Sequence, residues 1–233
     1  VSAAAKKIVI ISASPKAAES SASDDLSAMG KEVMEPAGAE VYRINVRKSL
    51  LNKRAEQDYA RMLDADALIF IFPLYFFCLP GMLMRFLQDY ADYRGQRKEN
   101  ASAARVYAVI NCGFPEPEIN EEAAGVIERF SVQTGCRFRF ALLIGGGGML
   151  QGAKDAPFMK KIMARIKDAF GLMLQDLSEG GNEPRSNILV SMKFPRRLYF
   201  FMGNLGWSSE GKKNGLKKKD LYRTPYCRTD GVV

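Results

Sequence analysis

Apolar and polar positions along the chain fall into blocks whose period keeps changing. "KKIVIIS" at Lys6–Ser12 is a short β-branched run, the mark of a buried strand. "DDLSAMGKEVMEP" at 24–36 returns its apolar residues at helical spacing, with Ser23 placed as its N-cap. "AEVYRINV" (Ala39–Val46) predicts a second strand and "NKRAEQDYARMLDA" (52–65) a polar helix. "ALIFIF" (Ala67–Phe72) predicts a third strand, and Gly81–Arg94 has helical spacing. Strand Ala104–Asn111, helix Asn120–Gly135, and "FRFALLIGGGG", a fifth strand running into glycines, follow. The last block, 156–180, is a long amphipathic helix. Its Met159, Ile162, Met163, Ile166, Phe170, Met173 and Leu174 form a core-facing stripe. Apolar strands alternating with helices predict an α/β domain: a doubly wound, five-stranded parallel sheet of order 2-1-3-4-5 with helices on both faces. No internal repeat is present, and no linker precedes about Pro184. The pattern therefore predicts one domain over 1–183 and an extension over 184–233.

One block tests this scheme. "ALIFIFPLYFFCLPGMLM", Ala67–Met84, carries no charge. A spanning helix needs roughly 20 continuous apolar residues. Here Pro73 and then Pro80-Gly81 break the run in phase with the neighbouring βα units. It reads as strand, loop and helix of a soluble core. The loop, "PLYFFCLP", is then apolar and aromatic, although loops ordinarily lie in water. Such a loop beyond the carboxyl end of a central strand needs a cover, and a flat aromatic ligand would supply one.

The other loops at that edge complete the picture. "SASPKAAESSAS" (Ser12–Ser23) offers hydroxyls at Ser12, Ser14, Ser20, Ser21 and Ser23, the cation Lys16 and the start of a helix. Hydroxyls beside a helix N-terminus suit a phosphate. The plain alternative is a capped βα loop, yet this one exceeds the usual span of about 2–6 residues. Neither a Walker loop nor G-x-G-x-x-G is present. "NCGFPEPE" (Asn111–Glu118) brings an amide at Asn111 and a close-approach position at Gly113. In order 2-1-3-4-5 the loops after strands one and three flank the topological switch point. Phosphate at one end and a flat ring at the other describe FMN. Gly145–Gly148 is either a close approach to a substrate or a flexible turn.

Composition removes several chemistries. The chain has no histidine, which excludes imidazole acid–base catalysis and most transition-metal sites, so no metal is expected. Its four cysteines, Cys78, Cys112, Cys136 and Cys227, form no C-x-x-C pair. That pattern predicts reduced thiols and a cytoplasmic protein. Cys78 and Cys112 adjoin the expected ring site, where inert burial is the expectation. The opening "VSAAAKKIVIIS" has too short an apolar run for a signal peptide.

The residues that carry a family resemblance are now in view. "ISASPKAAESSAS", "DADALIFIFPLYFFCLPGMLMRFL", "INCGFPEPEIN" and "ALLIGGGGM" resemble the flavodoxin-like NAD(P)H-dependent FMN reductases, over most of 6–180. The resemblance implies a flavodoxin-like fold. It implies that Ser14, Lys16, Ser21 and Ser23 hold the FMN phosphate. Pro73, Leu74, Tyr75 and Phe76 would pack along the isoalloxazine, and Asn111, Cys112, Gly113 and Phe114 would approach it from another side. Hydride would pass from NAD(P)H through the flavin to a small acceptor: a quinone, nitro compound, metal or free flavin. No protein acid or base is then needed. A homo-oligomer, such as a dimer, is also implied. Ala13 departs from the family, which usually has Gly there; a methyl at that place would narrow the phosphate pocket. A flavodoxin-type electron carrier and a flavin-free scaffold or regulatory module are the rival readings of the same fold.

Charge sets the extension apart. Lys193–Arg228 holds ten Lys/Arg against two acids, so this window alone accounts for the net charge of +8. Within it "RRLYFFMGNLGW" (Arg196–Trp207) is apolar and aromatic, and "KKNGLKKKDLYR" follows. It also resembles a tail found in some bacterial members of the family. The expectation is that the aromatics pack on their own domain or on a second subunit, with solvated lysines. Peripheral membrane contact through the basic tail is the alternative. No recognition fold accompanies the basic run, so no nucleic-acid partner is expected.

Overall fold

The structure, a computed structural model, describes residues 5–16, 21–97, 103–152, 156, 157, 159–181, 183, 185–191 and 195–223. Ser20, Phe158, Cys227, Lys193 and Arg228 lie outside the described residues. The chain divides into two units, Val1–Met192 and Lys193–Val233.

The first unit is built on a parallel sheet of order β2-β1-β3-β4-β5-β6. Its strands are β1 (Lys7–Ser12), β2 (Glu40–Asn45), β3 (Ala67–Pro73), β4 (Arg105–Asn111), β5 (Arg137–Ile144) and β6 (Ile188–Val190). The helices are α1 (Ala22–Met34), α2 (Val46–Leu51), α3 (Ala55–Leu63), α4 (Gly81–Gly95), α5 (Glu121–Gln133), α6 (Met149–Gly152) and α7 (Met159–Glu179). The doubly wound order is as predicted, but six strands replace the expected five. The sixth pairs Leu142 with Ile188 and Ile144 with Val190. Three residues are too few to show a period, so only pairing reveals this strand.

Alternation along each strand divides the core between two faces. Val9, Ile11, Leu68, Phe70, Phe72, Val106, Ala108 and Ile110 meet Met62, Phe86, Tyr90 and Ile127 on the side of α3, α4 and α5. Ile8, Ile10, Ile69, Ile71, Tyr107, Val109 and Leu142 meet Leu26, Ile166, Phe170 and Met173 on the side of α1 and α7. Strand β4 is buried along its whole length, and so is β3 except Pro73. A central strand covered on both faces must be apolar throughout, which explains the charge-free run at Ala67–Met84. Among the described residues no helix is long and apolar enough to cross a membrane.

Two local readings need correction. The N-cap of α1 is Ser21, whose Oγ accepts from Asp24 N at 3.2 Å; Ser23 lies inside the first turn. The polar block 52–65 forms α3 as expected, but a helix that was not expected, α2, precedes it: Asn45 caps α2 through Lys48 N at 3.0 Å before the chain turns at Lys53 with φ 53°.

At the amino ends of β4 and β5 a polar cluster ties α7 to the sheet. Asp176 on α7 accepts from Tyr107 OH at 2.7 Å and from Arg139 Nε and Nη2 at 2.8 Å each. Arg105 Nη1 at 3.1 Å and Arg185 Nε at 2.8 Å complete the set. Burial pushes the Asp176 carboxyl up. The Arg139 and Tyr107 hydrogen bonds and the charges of Arg139 and Arg105 outweigh it, and the group settles at about 2. Burial and the bond to Asp176 push the Tyr107 phenol well up.

In the second unit, helix α8 (Arg196–Lys213) is followed by a 3-10 turn at Lys218–Tyr222. The turn folds Leu221 over Gly211, the buried residue of α8, and Leu216 N donates to Gly211 O at 2.9 Å.

Candidate functional site

The carboxyl edge of the sheet opens into a cleft of about 400 Å³. Ser14, Pro15, Lys16, Ser21, Ala22 and Ser23 form one wall; Pro73, Leu74, Tyr75, Asn111, Gly147 and Gly148 form the other. It lies beyond β1, β3 and β4, on the switch point where the strand order reverses.

The hydroxyls on the polar wall differ in what they can still do. Ser21 Oγ donates to Asp24 Oδ2 at 2.8 Å while accepting from Asp24 N, so its proton is committed inside the protein. Ser12 Oγ and Asn45 Nδ2 hold the other oxygen of Asp24, at 2.8 and 2.9 Å. Ser14 Oγ accepts from Lys16 N at 3.3 Å, which leaves its own proton for a ligand. Ser23 is 1 % exposed, lines the cleft, and its Oγ has no hydrogen-bond partner. A buried hydroxyl without a partner is costly. Two free donors beside the N–H groups of a helix start are what a phosphate dianion requires.

The second wall is built by close approach. Tyr75 and Cys78 exchange backbone hydrogen bonds of 2.9 and 3.0 Å around a two-residue turn. Phe76 and Phe77 occupy that turn at φ 48° and 59°, the left-handed region that side chains other than glycine's avoid. The turn sends Phe76 outward, 92 % exposed, and lays Phe77 against Phe114 with ring centroids 6.0 Å apart. The loop after β5 packs on the loop after β4: Gly146 N donates to Phe114 O and Gly147 N to Cys112 O, both at 2.6 Å. A Cβ at Gly147 would stand 2.7 Å from Asn111 Oδ1, and one at Gly145 would run into the Pro115 carbonyl. The glycine run is a close-packed floor, and Gly147 and Gly148 belong to the cleft.

Of the residues singled out from the sequence, Ser14, Lys16, Ser21, Ser23, Pro73, Leu74, Tyr75 and Asn111 meet in this one cleft. Phe76, Cys112, Gly113 and Phe114 do not line it. Cys112 Sγ points to Phe114 O at 3.5 Å and Glu116 O at 3.7 Å, and accepts from Asn120 Nδ2 at 3.4 Å. Burial pushes this thiol up, which suppresses the nucleophilic thiolate. Ala13 is fully buried in the core and does not line the cleft, so its methyl leaves the pocket its width. Pro15 and Ala22 were not singled out, while Gly147 and Gly148 belong to the glycine run that the sequence left as either a close approach or a turn.

A parallel α/β sheet of this order with a cleft at its switch point defines a flavodoxin-like fold. Residues 6–121 match the family described as having a flavodoxin-like fold, and the chain has that fold. No curated protein matches the sequence. Among solved structures it is similar to an NADPH-quinone reductase from P. pentosaceus, at 16% identity and TM-score 0.52 over 72% of this chain and 97% of that one. It is also similar to general stress protein 14 from Treponema denticola, solved in complex with FMN: 14% identity, TM-score 0.53, 73% of this chain and 99% of that one. A flavone reductase aligns at 12% identity and TM-score 0.56, over 76% of this chain and 66% of its own.

Proposed function

We propose that this chain is an FMN-dependent oxidoreductase that moves hydride from NAD(P)H to a small acceptor: a quinone, nitro compound, metal or free flavin. The observation that carries the reading is the buried, partnerless Ser23 Oγ in a cleft whose other wall is Pro73, Leu74 and Tyr75. That arrangement has an anion end and an apolar end, as FMN does. Similar folds that act on quinones or bind FMN support it.

Ser14 and Ser23, with the N–H groups of the first turn of α1, would hold the phosphate, and Lys16 would add charge. Ser21 serves this site by capping the helix and fixing Asp24. Pro73, Leu74 and Tyr75 would exclude water along one edge of the ring. Asn111 Nδ2 donates to Phe72 O at 3.3 Å, which holds the amide at the cleft where it can orient a polar ring edge. Bound FMN supplies the hydride and electron chemistry. No described group near the cleft needs to act as acid or base.

The test is anaerobic. Purified protein is titrated with FMN, then with NADH and NADPH, while absorbance near ~450 nm, where the cofactor absorbs, is followed. Saturable binding followed by bleaching with a nicotinamide nucleotide supports the proposal. Binding without bleaching would turn the reading to an electron carrier; no binding would leave the flavin-free scaffold.

A further inference from the structure

We infer that the C-terminal unit docks on an anionic lipid bilayer through the apolar turns of α8. This does not rest on the oxidoreductase reading. Leu198–Trp207 is a run of aromatic and aliphatic residues broken only by Gly203, Asn204 and Gly206. At about 100° per residue, Leu198, Met202 and Leu205 fall on one side of the helix, Phe200 and Trp207 on the opposite side, and Tyr199 and Phe201 between them. The segment is therefore apolar all round. A helix of that kind belongs in an apolar medium, not on a surface. Among the described residues of its own unit, Leu221 covers Gly211, and Tyr199 and Ser208 are half-buried, while Leu198, Phe200, Phe201, Met202, Leu205 and Trp207 stay exposed. The expected alternative, packing against a protein surface, would cover one side and leave the other in water. The boundary between headgroups and acyl chains can surround it.

Charge points to the same partner. Arg196 and Arg197 occupy the first turn of α8, where the helix dipole disfavours cations. Arg196 stands over the Phe200 ring, 5.7 Å from its centroid, but neither arginine suits the dipole, and both suit an anionic surface. At the other end Glu210 pairs with Lys213 and Asp220 with Arg223, so the two acids among the unit's described residues are neutralised. Lys212, Lys217, Lys218 and Lys219 remain as exposed cations. Basic groups thus bracket the apolar turns. Those turns, ten residues, extend about 15 Å against a hydrocarbon core of about 30 Å, so the helix enters one leaflet and does not span. Apolar burial together with a cluster of basic residues is the pair of signals that holds a protein at a membrane surface.

The chain reports on this itself, because Trp207 is its sole tryptophan and is 74 % exposed. The full-length protein is mixed with vesicles of phosphatidylcholine containing phosphatidylglycerol, and separately with phosphatidylcholine alone. The expected result is a blue shift of Trp207 emission, protection from iodide and co-sedimentation with the anionic vesicles. Binding should weaken about tenfold or more with added salt, and by a similar factor in K212Q/K213Q/K218Q/K219Q. F201S/L205S should abolish the blue shift, with far-ultraviolet circular dichroism confirming that the variant is folded. Unchanged Trp207 emission in the wild-type protein with anionic vesicles would overturn the inference, and needs no variant. A blue shift without lipid that grows with protein concentration would also overturn it, by showing that a second copy covers the helix.

Discussion

The two ends of one sheet solve the same problem in opposite ways. At the amino ends of β4 and β5 Asp176 is surrounded by Arg105, Arg139, Arg185 and Tyr107, and its carboxylate is fully used inside the protein. At the carboxyl ends Ser23 Oγ is as deeply buried and has no partner. There the turn at Phe76 and Phe77 is held in a conformation the residues disfavour. Polar groups that satisfy each other stabilise the fold. Buried Ser49 Oγ and Tyr59 OH also lack partners, but only Ser23 Oγ combines that lack with a place on the cleft wall, which makes it the candidate for binding something else.

The largest expected effect is at the satisfied end. Asp176→Ala leaves Arg105 and Arg139 buried without a counter-charge and should cost about 3–5 kcal/mol, read as a fall in the denaturation midpoint. FMN binding by the folded fraction should be unchanged. A small loss would mean that water already shares this cluster.

At the unsatisfied end the signs reverse. Ser23→Ala should leave stability unchanged or slightly raised, because no protein bond is lost. FMN affinity should fall by roughly 1.5–3 kcal/mol, with riboflavin spared. Ser21→Ala should do the opposite, costing about 1 kcal/mol of stability through the lost cap, with a smaller effect on the phosphate. Isothermal titration with FMN and riboflavin, beside thermal melts, separates the two. If both serines behave alike, the division between cap and phosphate donor fails.

Acid acts on the first end too. The folded-state value of Asp176, about 2, lies below its ordinary 3.8. The stabilisation is therefore complete above about pH 4 and is lost as pH falls toward 2. Denaturant melts across that interval should show the loss, and Asp176→Asn should flatten this part of the profile. The smallest effect is in the turn. Phe76→Gly removes left-handed strain at a side chain that is almost wholly exposed, and should raise stability by about 1 kcal/mol. A loss of stability instead would show that the Phe76 ring is packed.

Much of this was legible beforehand because it rests on period and composition. The buried strand Ala67–Phe72, the proline break at Pro73, and the serine-rich loop opening a helix each carry a local signal. Strand β6 carried none, since three residues cannot show alternation. Ser21 could not be ranked against Ser23 as the cap, because the choice depends on which hydroxyl reaches Asp24 N. Phe76 and Phe114 were implied as ring neighbours by the family resemblance, and no local signal in the sequence fixes where their rings lie. The left-handed turn and the packing of Phe77 on Phe114 take them off the cleft wall.

The sequence by itself determined the alternation of strands and helices, the apolar character of the central strands, and the confinement of net charge to the extension. These are properties of single segments, set by side-chain transfer to an apolar interior and by backbone preference. Tertiary structure alone decided which hydroxyls are spent inside the protein and which are left for a ligand. It also decided that Gly145 must be glycine because the Pro115 carbonyl stands against it, and that Asp176 joins arginines from β4 and β5 distant along the chain. Each of these is a pairing between groups far apart in sequence, and hydrogen-bond satisfaction is a property of the pair.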